Sequence, residues 1–211
     1  MMGGMSNEFW YRLFHGVVRL LMRTVCRMHV EGIEHLSHPA PYLVAGNHLT
    51  QWDPPTLMSL IPPTHRLTGI AADKWRKVLP FRLLFDRINV IWVKRGEVDR
   101  VALSAVLAAL KRGWVVGLTP EGTRSKTGGL QQARNGVAWI AAKAKVPVIP
   151  VAVWGVENIE PSLKRLHRTD VHVRIGPAIT LDPADSHDAS TERIMHAIAA
   201  MLPEKYRGVY G

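Results

Sequence analysis

Cysteine is almost absent from this chain of 211 residues: Cys26 is the only one. A lone thiol forms no internal disulfide, so nothing calls for an oxidising compartment, and a zinc site built on Cys26 has no second cysteine to complete it. Acidic residues are also few, 17 against 27 Lys and Arg, for a formal net charge of +10. That balance points to anionic partners: lipid headgroups, phosphorylated small molecules or nucleic acid. No uninterrupted apolar run approaches the length needed to span a bilayer, and neither a signal-peptide cleavage pattern nor a prenylation box is present. Repeats, low-complexity tracts and obvious linkers are missing too. With 47% hydrophobic residues the chain can bury a sizeable core, and the expectation is a single domain over residues 1–211.

What is there begins with an amphipathic helix expected over residues 8–30. Arg12, Arg19, Arg23 and Arg27 fall within an arc of about 80° on a helical wheel. Phe14, Val17, Val18, Leu21, Val25 and Met28 lie opposite, with Trp10 and Leu13 near the margin. Periodicity alone also permits an ordinary surface helix packed on the core. Several arginines and no acid between Arg12 and Val30 favour a helix that lies in a membrane interface. Cys26, beside the arginine stripe, reads as structural rather than nucleophilic.

Beyond this helix the pattern becomes α/β. Short apolar runs at 28–30, 42–45, 66–71, 90–93, 114–118, 148–154 and 171–175 predict strands. Helical patterns fall at 54–61, 98–112, 135–145 and 190–202. The alternation predicts a mostly parallel sheet flanked by helices, with ligands bound outside the carboxyl ends of its strands. The strand that begins at Val146 carries Pro147 and Pro150. Proline cannot donate to a ladder, so this strand is expected at an edge or with a bulge.

Three loops at predicted strand ends are informative. The first holds Asn47, His48 and Asp53. His48 and Asp53 stand five positions apart, which in a continuous helix would separate them by about 140°. They meet only if the chain turns between them, and Asp followed by Pro54-Pro55 favours a helix start at that point. A carboxylate on one imidazole nitrogen leaves the other free as a proton acceptor, the working part of a general base. Alone, Asp53 before proline reads first as a simple helix cap, and His48 as a hydrogen-bonded loop residue. The second loop carries Lys94-Arg95-Gly96. The third, Pro120-Glu121-Gly122-Thr123-Arg124-Ser125, is rich in glycine, hydroxyls and cations, the ingredients of a phosphate cradle. Neither Walker spacing nor G-x-G-x-x-G is present, which argues against nucleotide hydrolysis and dinucleotide binding. Arg134 stands at the start of the next helical pattern.

These blocks occur in one order: Asn47-His48 with Asp53, then Val93-Lys94-Arg95, then Pro120 to Ser125, then Val146-Pro147-Val148-Ile149-Pro150-Val151. Over roughly residues 30–155 the chain resembles the glycerolipid acyltransferases, specifically the 1-acylglycerol-3-phosphate acyltransferases. The resemblance implies that His48 is the general base and Asp53 its orienting partner. It associates Arg95, Glu121, Gly122, Thr123 and Arg124 with the acceptor's phosphate, with Asn47, Lys94, Ser125 and Arg134 as additional candidates and Pro150 on the acyl-donor side. It further implies acyl-CoA or acyl-carrier protein as co-substrate, a lysophospholipid acceptor, and no cofactor or metal. The location implied is peripheral and monotopic, on an anionic membrane surface at the cytoplasmic face of a bacterial membrane. Asn89 and Thr119 depart from the family pattern, where glycine and phenylalanine are usual, and both bear on the acceptor pocket. Glycerol 3-phosphate, a lyso-ornithine lipid or a glycolipid precursor are alternative acceptors. A basic nucleic-acid- or membrane-surface-binding protein without catalysis is the alternative of another class. For nucleic acid, no cationic face with aromatic platforms is legible and none is expected as a partner.

Overall fold

The computed structural model describes residues 3–73, 82, 85, 89–93 and 99–211. Among these, seven strands form one sheet. They are β1 (Cys26–Glu31), β2 (Leu43–Gly46), β3 (Leu67–Ala72), β4 (Ile91–Val93), β5 (Val115–Leu118), β6 (Val148–Trp154) and β7 (Thr169–Ile175), in the order β1-β7-β6-β2-β5-β3-β4. Every pairing is parallel except β6 with β7. The helices are α1 (Gly3–Val25), α2 (Asp53–Leu60), α3 (Arg100–Lys111), α4 (Gly136–Ala144), α5 (Ile159–Lys164) and α6 (His187–Met201).

Alternation along the central strands divides the core in two. Leu43 and Ala45 of β2, Val116 of β5 and Val148 and Ala152 of β6 pack beneath α3, α4 and α6. Val44, Val115, Ile149, Val151 and Val153 face the other way, toward α1 and α2. Strands covered on both faces read as continuous apolar runs, which is why these were legible as strands. Helix starts are marked locally: Asp99 accepts from the Ala102 amide at 3.0 Å and Ser186 from that of Ala189 at 3.1 Å, each closing an otherwise open donor of the first turn.

Two expectations need correction. The amphipathic helix ends at Val25, not near 30, because residues 26–31 pair along their whole length with β7. Backbone ladder bonds outweigh the continued helical spacing, and Arg168 closes the helix end by donating to the carbonyls of Arg23 at 2.6 Å and Cys26 at 2.7 Å. The proline-bearing strand β6 is interior, between β2 and β7. Pro147 lies just before the strand. The Pro150 carbonyl accepts from Gly176 at 2.9 Å, so its ring nitrogen, on the same edge, faces the chain just past the end of β7, where no ladder acceptor is left wanting. Gly176 permits this approach, since a Cβ there would come within 2.9 Å of the Pro150 ring.

The surface of α1 is also divided differently from the expectation of one broad apolar face. Tyr11, His15, Val18, Met22 and Val25 are buried against the core, and His15 reaches the Ile61 carbonyl at 2.9 Å. Phe9, Trp10, Leu13, Val17, Leu20 and Leu21 form a second apolar face that is 40% to 64% exposed. At 100° per residue that face is centred about 140° from the buried one, with Arg12, Arg19 and Arg23 between them on one side.

The last residues of the chain strap the long loop after β5. The Leu130 amide donates to the Tyr206 carbonyl at 2.9 Å, the Val209 amide to the Leu130 carbonyl at 3.1 Å, and the Ala133 amide to the Tyr210 hydroxyl at 3.2 Å. Gly208 sits at φ 54°, and a Cβ there would meet the Leu130 carbonyl oxygen at 2.1 Å. Gly208→Ala is therefore expected to lower stability by roughly 1–3 kcal/mol, read from the midpoint of urea unfolding. An unchanged midpoint would mean that the strap yields without cost.

Candidate active site

β2 and β5 are neighbours, so the loops leaving their carboxyl ends lie side by side. The first loop turns sharply after Asn47. Asn47, just past the end of β2, bonds to β6 through its side chain: its Nδ2 donates to the Val153 carbonyl at 2.7 Å and its Oδ1 accepts from the Val153 amide at 2.8 Å. From this buried anchor the chain passes through His48 and folds back until Asp53 opens α2, with Trp52 in the cap position. Pro54 and Pro55 follow at helix positions where a missing N–H leaves no bond unmade.

The Asp53 carboxylate turns backwards instead of capping its own helix. Oδ2 accepts from the Leu49 amide at 2.7 Å, the Thr50 amide at 2.9 Å and His48 Nδ1 at 2.7 Å. An ionised carboxylate only accepts, so Nδ1 carries the proton and Nε2 is left with its lone pair. The Asp53 side chain is 8% exposed and that of His48 14%, so the imidazole meets solvent at one edge while its partner is enclosed. Burial pushes the Asp53 carboxyl above its ordinary range, opposed by hydrogen bonds from His48, Thr50 and Leu49.

A second buried carboxylate holds the backbone of the same residue. Glu121, 3% exposed, accepts from the His48 amide at 3.1 Å through Oε1 and from the Gln131 amide at 2.9 Å through Oε2. The His48 carbonyl accepts from the Ser125 amide at 2.7 Å. His48 is thus fixed at both peptide groups by the loop after β5. Both oxygens are thereby occupied by amides. Glu121, which the resemblance associates with the acceptor's phosphate, stands behind the imidazole against the His48 backbone. Burial is also the main cause that lifts its carboxyl above the ordinary range, opposed by the Gln131 and His48 bonds.

The remaining residues of that loop do reach the surface. Gly122 adopts φ 68°, a turn that carries exposed Thr123 outward. Arg124 is half-buried and donates to the Gln51 side chain at 3.1 Å, and Gln51 in turn donates to Glu160. Exposed Arg134 runs past Gly122, its Cδ 3.8 Å from where a Cβ would stand. Ser125 is turned inward, its hydroxyl donating to the Gly129 carbonyl at 2.6 Å. Pro150 is buried in the sheet opposite Ala45, so it shapes the floor of the fold. Lys94 and Arg95 lie outside the described residues. Cys26 is buried, donates to the Met22 carbonyl at 2.9 Å, and burial pushes its thiol up to about 11. It is structural, as its sequence context suggested. Among the described residues, no group of three His, Cys, Asp or Glu side chains is placed to hold a metal ion. Gln131 and the strap at 203–211 escaped sequence reading, since neither belongs to a motif or a periodic run.

A mostly parallel α/β sheet with a His–Asp pair and a cationic loop at its carboxyl edge is a framework able to carry general-base chemistry on an anionic substrate. Comparison with known proteins makes this specific. The Acyltransferase family model matches residues 27–154, and the chain belongs to that family. The chain is 30% identical over 191 residues to the chloroplastic 1-acyl-sn-glycerol-3-phosphate acyltransferase BAT2 of Brassica napus, covering 82% of this chain and 53% of that protein. It is 24% identical to 1-acyl-sn-glycerol-3-phosphate acyltransferase alpha of Homo sapiens, over 84% of this chain and 64% of the other. The chain therefore spans about half to two-thirds of the length of these relatives. Its fold is that of PlsC, the 1-acyl-sn-glycerophosphate acyltransferase from Thermotoga maritima. That crystal structure superposes with a TM-score of 0.77 at 22% identity, covering 91% of this chain and 78% of that one.

The two buried carboxylates generate a pH dependence. Between the ordinary carboxylate pKa of about 4 and their raised values, the folded chain holds protons that the unfolded chain has released. Stability is expected to fall as pH rises through that window and to level off above it. Glu121→Gln removes one of the two groups and should flatten part of the slope of urea midpoint against pH. A slope equal to that of the unaltered protein would show that Glu121 does not titrate differently on folding.

Proposed function

We propose that this protein is an O-acyltransferase that moves a fatty acyl group from a thioester, acyl-CoA or acyl-carrier protein, to the free hydroxyl of 1-acylglycerol 3-phosphate, giving phosphatidic acid. The observation that carries the reading is the His48–Asp53 pair, with Nδ1 tied to the carboxylate at 2.7 Å and Nε2 free at the edge of the site. His48 Nε2 takes the hydroxyl proton as the acceptor oxygen bonds to the thioester carbonyl carbon. Asp53 stabilises the imidazolium that forms. When the tetrahedral intermediate collapses, the C–S bond breaks and the thiol leaves with the proton from His48. Neither a G-x-S-x-G elbow nor a reactive cysteine is available among the described residues, so acyl transfer is direct. Arg124 and Arg134, beside the Gly122–Thr123 turn, are the cations the structure offers to the acceptor's phosphate, and the family motif adds Lys94 and Arg95.

The apolar substrates place the reaction at a membrane surface. No helix among the described residues is long and apolar enough to cross a membrane. The exposed apolar face of α1, flanked by arginines, has the form of a helix that lies in the headgroup region.

His48→Ala is expected to lower turnover by about 10²–10⁴-fold with the fold intact, and Asp53→Asn to lower it comparably by disturbing tautomer and orientation. Arg124→Ala should chiefly raise KM for a phosphorylated acceptor. Steady-state assays with labelled acyl-CoA check all three, and an active His48→Ala protein would end the proposal. The same assay across lysophosphatidic acid, glycerol 3-phosphate and other lyso-lipids selects the acceptor. Separately, Leu13→Asp with Leu20→Asp should abolish co-sedimentation with phospholipid vesicles while leaving the melting temperature within a few degrees. Undiminished sedimentation would remove α1 from the membrane contact.

A further inference from the structure

A second cationic site lies away from the His–Asp pair, where α1, α2 and β1 meet. We infer that this cavity, of about 240 Å³ and lined by Arg19, Arg23, Arg168, Met28, Ser59 and Leu60, binds the phosphate of an anionic phospholipid that is not the reacting acceptor. The inference rests on the membrane-surface reading of α1 given above.

The charge is arranged for an anion. Arg19 and Arg23 stand one turn apart on α1, and Arg168 enters from the residue before β7. Arg168 is already set in place, because its Nη2 donates to the Arg23 and Cys26 carbonyls. Three of its five N–H groups remain for a ligand. Three other arginines near this face meet acids: Arg12 with Glu8, Arg27 with Asp170, Arg174 with Glu31. Here no acid lines the cavity. The carboxyl ends of α1 and α2 both point toward it, each equivalent to roughly −0.5 of a charge, which does not offset three guanidinium groups. Part of that negative end is also taken up by Arg168.

The walls and position select a lipid. Met28 and Leu60 give the cavity apolar sides of the kind that meet the glycerol and first methylenes of a lipid, whereas a free phosphate uses only the cations. On α1 the arginine face adjoins the exposed apolar face that includes Leu13, Val17 and Leu20. With those side chains among acyl chains, Arg19 and Arg23 sit at headgroup depth. The site is separate from the chemistry. Ser59 is six residues along α2 from Asp53, about 9 Å of helix rise, beyond the span of one glycerol unit. A phosphate held here keeps the enzyme on anionic membrane, including membrane enriched in its own product, while the acceptor's phosphate is bound elsewhere.

The test compares charge-matched pairs. Full-length protein is sedimented with phosphatidylcholine vesicles containing about one-tenth phosphatidic acid. Arg19→Gln with Arg23→Gln should weaken binding about tenfold, and Arg12→Gln with Arg27→Gln, also on the basic stripe expected from the sequence but outside the cavity, less than twofold. Equal losses would show a diffuse surface charge and overturn the site. Short-chain phosphatidic acid below its micellar concentration should compete for the unaltered protein, and inorganic phosphate at equal ionic strength should not. Equal competition by inorganic phosphate would assign the cavity to free phosphate and overturn the lipid. Acyl transfer by the unaltered protein to a monodisperse short-chain acceptor is measured alongside, so that failure of the acyltransferase reading registers independently of the vesicle result.

Discussion

One carboxylate oxygen, Asp53 Oδ2, gathers three hydrogens, from His48 Nδ1 and from the Leu49 and Thr50 amides. The rest of the site depends on that convergence. It bends residues 48–53 into a closed turn, directs the imidazole, and sets its tautomer, all by hydrogen bonds to a buried charge that are stronger than those between neutral groups. The cost is an ionised group enclosed at the start of a helix, seen in its raised pKa. Burying a charge with three donors is tolerable, and removing any donor leaves desolvation uncompensated.

Glu121 repeats the device one strand over. Where Asp53 holds the His48 side chain, Glu121 and the Ser125 amide hold its backbone. The loop after β5 therefore has two tasks at different depths. Buried Glu121 and the half-buried, inward-turned Ser125 fix the His48 backbone, while Thr123, Arg124 and neighbouring Arg134 reach the surface, where an anion can meet them. Positive φ at Gly122 separates the two sets, since the chain must reverse between an inward acid and an outward cation. Gln131 and the strap at 203–211 keep this loop from sliding. The His48 imidazole is thereby held at the end of a rigid element, with its supports drawn from loops that follow adjacent strands.

α1 shows how the same residue types take different work by position. Val18 and Leu21 belong to one apolar face on a helical wheel, yet Val18 is buried and Leu21 exposed. The division follows from α2 and the sheet, which cover only part of the helix circumference. What they leave open is apolar and bordered by arginine, the form suited to an interface between protein, headgroups and acyl chains.

The amino-acid order alone determined the seven strands, most of the helices and the turn that pairs His48 with Asp53, though not the end of α1 or the short helix α5. Those features are local: apolar alternation, helix starts and a proline-marked bend act within a few residues. The place of β6 inside the sheet was not legible, because the side on which Pro150 lacks a donor matters only relative to where β7 ends. Nor could the two roles within Glu121–Arg124 be separated, since burial of one and exposure of the next depend on Gln131, 10 residues on, and on β2, about 75 residues back. The arginine cavity likewise joins Arg23 to Arg168 across 145 residues. Contacts of that range are set by packing and by closure of the sheet, so the tertiary structure alone decided them.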